Sequence, residues 1–156
     1  MSDSSVTEIP DSWESSTLGE VAKWGSGGTP KSGVSRYYGG EIPWAVIGDL
    51  TEGLVINTAQ TITVEGLNNS SAKIVVPGTV MLAMYGASIG RSGIAGVSMA
   101  TNQAIAFANP DAKTLNNKFL FNYLQSQKQA FVMAGQGGAQ PNISQTVIKP
   151  WPIPLP

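Results

Sequence analysis

Residues 74–94 read IVVPGTVMLAMYGASIGRSGI, and the fold class turns on this stretch. The Pro77-Gly78 pair is a turn signal, and it leads into a largely apolar strand over residues 79–84. The GASIG segment at 86–90 connects to a second strand over 91–97. Working outward, IPWAVIGDL at 42–50 is a strand entered through Pro43, and LVINT at 54–58 and TITV at 61–64 are two more. IVV at 74–76 and the segment 103–107 complete the set. Glycines and polar residues punctuate these strands at short spacing, which favours antiparallel pairing. Residues 65–72 hold one short helical turn, and NPDAK at 109–113 is a turn.

One substantial helix is predicted over 114–133. Leu115, Phe119 and Tyr123 lie along one line, with Leu120, Leu124 and Phe131 beside it, while Lys118, Gln125 and Lys128 fall on the wetter side. Gly135 is its natural stop. Residues 17–24, TLGEVAKW, are read as a strand with a leading turn, and ISQTVIK at 143–149 as a single helical turn. WPIPLP at 151–156 is too proline-rich for a central strand and is read as an edge strand or extended exit. Residues 1–16 are expected to be irregular. The outcome is a mixed α+β domain with a mostly antiparallel, short-stranded sheet, one major helix and long glycine-rich loops.

A chain of 156 residues fits one domain or two very small ones. Its charged fraction of 12% is about half the usual level. There is no Cys and no His. That excludes disulfides, thiolate zinc sites and the His-dependent nucleophilic mechanisms. No apolar run reaches the ~18 residues of a membrane span, and the first residues lack the basic and apolar regions of a signal peptide. The expected location is the cytoplasm.

The net charge is −1, but it is unevenly distributed. Residues 1–70 carry Lys23, Lys31 and Arg36 against nine carboxylates. Residues 71–156 carry six cations against Asp111 alone. If the halves stay apart, the molecule has an acidic pole and a basic pole, which is a reason to look for a polyanion.

No catalytic set is convincing. Pro10-Asp11 and Asp111-Ala112-Lys113 match the letters of a metal-dependent nuclease, but one lies in a polar tail and the other in a turn. Asp49 and Glu52 are spaced like solvated acids of a turn. No phosphate-binding or dinucleotide fingerprint occurs, and Asn109-Pro110-Asp111 departs from the adenine methyltransferase pattern.

The polar loops are more informative. Residues 25–40 combine six glycines with hydroxyls at Ser26, Thr29, Ser32 and Ser35 and cations at Lys31 and Arg36, beside Tyr37 and Tyr38. Such a set suits phosphate oxygens and base edges. Residues 84–92 offer Tyr85, Ser88 and Arg91, and arginine is the best bidentate reader of guanine. Residues 135–144 offer Gln136, Gln140 and Asn142, whose amides can read adenine. Against these stand the plain alternatives: a surface loop, a solvated arginine and a glycine-capped helix exit. Trp13, Trp24 and Trp44 are read as packing residues, and Asn102-Gln103 as a buried amide network.

Taken in order, WESSTLGEVAKWGSGGTPKS, YYGGEIPWAVIGDL, TITVEGL, IVVPGTVMLAMYGASIGRSGI, TNQAIAF, NKFLFNYLQS, GGAQPNIS and IPLP resemble one family throughout. The chain is similar to a target recognition domain of a type I restriction–modification specificity subunit, a component of bacterial host defence. The resemblance covers residues 11–156 as a single domain, with 1–10 as a polar tail and an end before the family's spacer helix. It implies a non-catalytic DNA-binding role in which double-stranded DNA is read at one half of a split target. It also implies partners: a second recognition domain or half-subunit, modification subunits that bring S-adenosylmethionine and adenine methylation, and restriction subunits that use ATP and Mg²⁺. No cofactor is expected in this chain. The DNA-facing candidates are Thr29, Lys31, Ser32, Arg36, Tyr37, Tyr38, Tyr85, Ser88, Arg91, Gln136, Gln140 and Asn142. The competing reading is a non-catalytic protein- or carbohydrate-binding module, which suits the low charge, tyrosines and amides.

Overall fold

The computed structural model describes residues 10–136 and 141–156. Its centre is the strand β7 (Val80–Ala83), the same VMLA run that anchors the sequence reading. All four residues are buried, because both faces of this strand are covered. Val80 and Leu82 point toward a helical layer with Leu120, Leu124, Phe131 and Ile148. Met81 and Ala83 point the other way, toward Ala45, Val75 and Met99 of a second sheet. A strand covered on both faces reads as a continuous apolar run rather than an alternating one.

Around it, β2 (Ala22–Ser26), β10 (Ile105–Pro110), β8 (Ser92–Ala95) and β4 (Leu54–Val55) build a five-stranded sheet in the order β2-β10-β7-β8-β4. The second sheet has the order β5-β3-β9-β6, from Gln60–Ile62, Tyr38–Ala45, Met99–Thr101 and Ile74–Val75. A third, two-stranded sheet pairs β1 (Glu14–Thr17) with β11 (Pro152–Leu155). Only β3/β9 and β4/β8 run parallel, so the expected mostly antiparallel arrangement holds.

The helical layer contains α3 (Asn117–Ser126) and α4 (Lys128–Ala134). The predicted helix is therefore present, but it starts later and is interrupted at Gln127, whose φ/ψ of −97/5 lie outside the helical basin. The break leaves the Gln127 side chain free to accept from Trp151 Nε1 at 3.1 Å. The apolar pattern runs through the interruption because Leu120, Leu124 and Phe131 still enter one core. Asn116 caps α3, accepting from the Lys118 N–H at 2.7 Å, while residues 114–115 form a turn on Asp111. Short helices α1 (Leu18–Val21), α2 (Val64–Asn68) and α5 (Gln145–Ile148) match the expected helical turns, α1 leading directly into β2.

Several expectations are corrected. β1 lies in a segment read as irregular; its pairing partner is at the far end of the chain, which no local pattern signals. β9 was not anticipated, being three fully buried residues without alternation. The strand predicted over 42–50 runs from Tyr38 to Ala45 and ends in a 3₁₀ turn, Ile47–Asp49. Asp49 ends it by accepting from the Val46 N–H at 2.9 Å and the Ala59 N–H at 3.0 Å. The two halves of the chain do not stay apart. β2 pairs β10, β1 pairs β11, β3 pairs β9 and β4 pairs β8, so acidic and basic halves interleave and the condition for two separate poles is not met. No helix among the described residues is long and apolar enough to cross a membrane.

Candidate nucleic-acid interface

Antiparallel pairing brings the C-terminal ends of β2 and β7 beside the N-terminal ends of β10 and β8. The loop after β2, the Asn102–Ala104 connection and the connection 84–91 therefore gather at one end of the five-stranded sheet. The chain after α4 returns to the same end. Gly86 N–H donates to Pro141 O at 2.9 Å, and Ile143 N–H donates to Met84 O at 2.8 Å. Tyr85 and Asn142 form a β-bridge between these two hydrogen bonds.

These segments enclose a groove of about 820 Å³, lined by Ser26 and Gln103, by Met84 to Gly86, and by Pro141 to Thr146. Among the described residues, no Asp or Glu lines it. Its polar groups are the amides of Gln103, Asn142 and Gln145 and the hydroxyls of Ser26, Tyr85, Ser144 and Thr146. Lys73 Nζ stands 3.5 Å from the Ser26 carbonyl oxygen at one rim. The opposite end of the sheet carries a cavity of about 690 Å³ whose lining includes Glu20 and Asp111 as well as Lys23. Of the two, the first suits an anion better.

The sequence candidates distribute unequally around this groove. Tyr85, 44% exposed, and Asn142 line it. Thr29 reaches it indirectly, through a hydrogen bond from its hydroxyl to Gln103 Oε1. Lys31 and Ser32 are exposed in the loop after β2, and Lys31 forms no ion pair among the described residues. Ser88 ends the 3₁₀ turn Gly86–Ser88 on the connection that bears Tyr85. Gln136 is exposed at the end of α4, and Gln140 lies outside the described residues.

Arg36, Tyr37 and Tyr38 sit elsewhere, at the start of β3 against α2. The Arg36 Nε bonds Glu65 Oε2 at 2.6 Å, and its guanidinium lies 5.1 Å from the Tyr37 ring centroid. That hydrogen bond and the charge of Glu65 push its pKa upward. The Tyr38 hydroxyl donates to the Pro30 carbonyl, and its ring packs edge-on to Trp44. These contacts give Tyr38 a structural role.

Arg91 turns inward. Its Nε donates to the Leu50 carbonyl, at a corner held by Glu52. Glu52 is the non-glycine residue with left-handed φ, 63°, among the described residues. It is held by Lys128 at 2.5 Å, by Ser92 through both backbone and side chain, and by Gln125 Nε2 on its carbonyl at 3.2 Å. Asp49 and Glu52, read from the sequence as solvated acids of a turn, are thus both engaged in structural contacts.

Burial pushes the Glu52 pKa up, but hydrogen bonds and charge from Lys128, with Gln125 and Ser92, outweigh it and the net direction is downward. A lowered carboxylate stabilises the fold above its unfolded pKa, about 4.3, and that contribution is lost as pH falls through the folded value. In a carboxyl-carbon NMR titration, Lys128→Met is expected to raise the Glu52 midpoint. The same variant should flatten the loss of thermal stability below about pH 4.3. An unchanged midpoint would mean that the ion pair does not form in solution.

Two groove residues were missed from the sequence. Gln103 was read as part of a buried amide network, yet it is exposed, while Asn102 makes the turn by accepting from Ala104 N–H at 3.0 Å. Gln145 sits in the short helix α5 with no distinguishing motif. Their roles depend on which loops become neighbours.

The family model of the type I restriction modification DNA specificity domain matches residues 10–156. The MjaIX type I restriction enzyme specificity subunit of Methanocaldococcus jannaschii is 25% identical over 97% of this chain. The EcoR124I/EcoR124II specificity subunit of Escherichia coli is 27% identical over 90% of it. The chain spans 36% of the length of each of these curated relatives. Among solved structures, the HsdS subunit from Thermoanaerobacter tengcongensis has a TM-score of 0.72 at 21% identity, over 96% of this chain and 34% of that one. The type I restriction-modification S subunit from M. genitalium has a TM-score of 0.65 at 16% identity, over 95% of this chain and 36% of that one. At these identities the two structures attest the fold.

Proposed function

Because this chain belongs to the type I restriction modification DNA specificity domain family, we propose that it reads one half of a bipartite duplex DNA target for a type I restriction–modification complex. Residues 11–156 act as one recognition domain in the cytoplasm and perform no chemistry themselves. A second recognition domain or half-subunit reads the other half-site. Modification subunits carry S-adenosylmethionine and methylate adenine, and restriction subunits supply the ATP- and Mg²⁺-dependent steps. The protein- or carbohydrate-binding alternative is not favoured once the family is known.

The observation that carries this reading is the convergence of four chain segments on one carboxylate-free groove rich in amides and hydroxyls. In the proposed complex the duplex lies across the mouth of the groove. Lys31 and Lys73 neutralise phosphates, and the groove's polar groups meet base edges. Thr29, Ser32, Tyr85, Ser88, Gln136, Gln140 and Asn142 remain DNA-facing candidates, whereas Arg36, Tyr37 and Tyr38 lie against α2 and Arg91 is turned to Leu50.

The test is binding to a random duplex library, with the modification subunit present, at two salt concentrations, followed by sequencing of the bound fraction. One short motif is expected to be enriched. Affinity should fall with salt at a slope of about −0.9 per neutralised phosphate, and Lys31→Ala or Lys73→Ala should each reduce that slope. A folded chain that enriches nothing and binds independently of salt would overturn the reading.

A further inference from the structure

The groove combines a particular set of donors and acceptors with a particular lack. Among the described residues, none that lines it is Lys, Arg, Asp or Glu. Both arginines of the chain are committed elsewhere, Arg36 to Glu65 beside α2 and Arg91 to the Leu50 carbonyl. Residues 137–140, Gly-Gly-Ala-Gln in sequence, lie outside the described residues and carry no charged side chain. What lines the groove instead is amide and hydroxyl chemistry, with Gln103 and Gln145 both among its lining residues. Gln103 is held by the Thr29 hydroxyl on its Oε1, which restrains the amide plane and leaves both Nε2 protons and one oxygen lone pair available.

Base edges in the major groove divide by the same chemistry. Guanine presents two acceptors, O6 and N7, and is read bidentately by arginine or lysine. Cytosine presents a donor and is read by a carboxylate. Adenine presents a donor beside an acceptor, N6–H and N7, which one carboxamide matches with both its oxygen and its nitrogen. An amide offered to guanine in the same pose sets its carbonyl oxygen against a second acceptor. A groove lined by amides, with no guanidinium and no carboxylate among its described lining residues, therefore distinguishes adenine, and the cation at its rim, Lys73, is the one assigned to a phosphate.

We propose that bidentate base readout by this groove is confined to A·T pairs, with Gln103 and Gln145 as specificity-determining residues that each take one adenine and Thr29 as the positioning residue for Gln103. This inference rests on the DNA-reading proposal and narrows it to a class of half-site.

The experiment uses the motif enriched by the unmodified chain in the presence of the modification subunit. Each adenine is replaced in turn by 7-deazaadenine, which lacks the N7 acceptor, and each guanine by 7-deazaguanine. At two adenines, affinity is expected to drop about 5- to 150-fold, the range of one bidentate pair. Gln103→Ala and Gln145→Ala should each abolish that sensitivity at one of the two positions while leaving the salt slope unchanged. Thr29→Val should weaken discrimination at the Gln103 position, and Thr29→Ser should restore it. A motif whose affinity depends on guanine N7, with no adenine sensitivity, would overturn the inference and leave DNA reading intact. No enriched motif at all would overturn both. The base-analogue arms use the unsubstituted protein, so a variant that fails to fold cannot rescue the proposal.

Discussion

Phe131→Ala is expected to lower the unfolding free energy by about 3–5 kcal/mol, a large share of the 5–15 kcal/mol of a typical domain. The ring is completely buried. Its centroid lies 4.3 Å from that of Trp151 at a tilt of 38°. Trp151 in turn is fixed by its bond to Gln127 and directs the chain into β11, which closes on β1. Removing the ring thus leaves a cavity where α4, the chain's final stretch and the five-stranded sheet meet. Phe131→Leu, closer in volume, should cost less, about 1.5 kcal/mol. Urea unfolding followed by tryptophan fluorescence measures both. Equal midpoints for the alanine variant and the native chain would show that the helical layer collapses to fill the space.

Gly27→Ala is expected to cost about 3 kcal/mol or more and to remove DNA binding with it. A Cβ at this position would lie 1.9 Å from the Thr101 carbonyl oxygen and 2.3 Å from its Oγ1. The obstacle is mainly backbone, so no rotamer change relieves it. Gly28 is equally confined, at 2.6 Å from the Ala72 amide nitrogen, and its own N–H donates to Thr101 O at 3.0 Å. The Trp44 indole N–H donates back to the Gly28 carbonyl at 3.0 Å. This glycine pair is where the loop after β2 threads between the two sheets, with Ser26 on one side and Thr29 on the other. Displacing it moves a wall of the groove. Gly33 is the control: its φ is +84° and nothing lies within 4 Å of a Cβ, so Gly33→Ala should cost only about 1–2 kcal/mol of backbone strain. Thermal melts and DNA binding of the two variants separate the effects. Retained binding and stability in Gly27→Ala would show that β9 and the loop can part without consequence.

Much of the local structure was legible because its causes are local. The Pro77-Gly78 turn, the apolar run of β7, the apolar period of the major helix and the proline-limited strand β11 each follow from side-chain period and backbone chemistry within a few residues. The tryptophans were legible as packing residues for the same reason: Trp24 donates to Leu18 O at 2.9 Å and Trp44 to Gly28 O. β1 and β9 were not legible, since a short strand without alternation is defined by its partner. The polar loops stood out in the sequence as a class, but how they combine did not. Arg91 looked like a guanine reader until the fold placed the Leu50 carbonyl beside it, and Gln103 looked structural until the loop bearing Thr29 came alongside.

By itself the sequence determined the α+β class, the strand-rich middle, the major helix, the lack of His and Cys chemistry and the family resemblance. Those follow from composition, periodicity and the order of segments along the chain. Only the tertiary structure decided that acidic and basic halves interleave, that both arginines are spent on internal partners, and that Gln103, Tyr85, Asn142 and Gln145 share one groove. The reason is strand pairing between residues tens of positions apart, as in Ile105 with Ala83, Tyr85 with Asn142 and Trp24 with Ala108, which sets which loop ends become neighbours. Pairing at that separation leaves no trace in any short window of sequence.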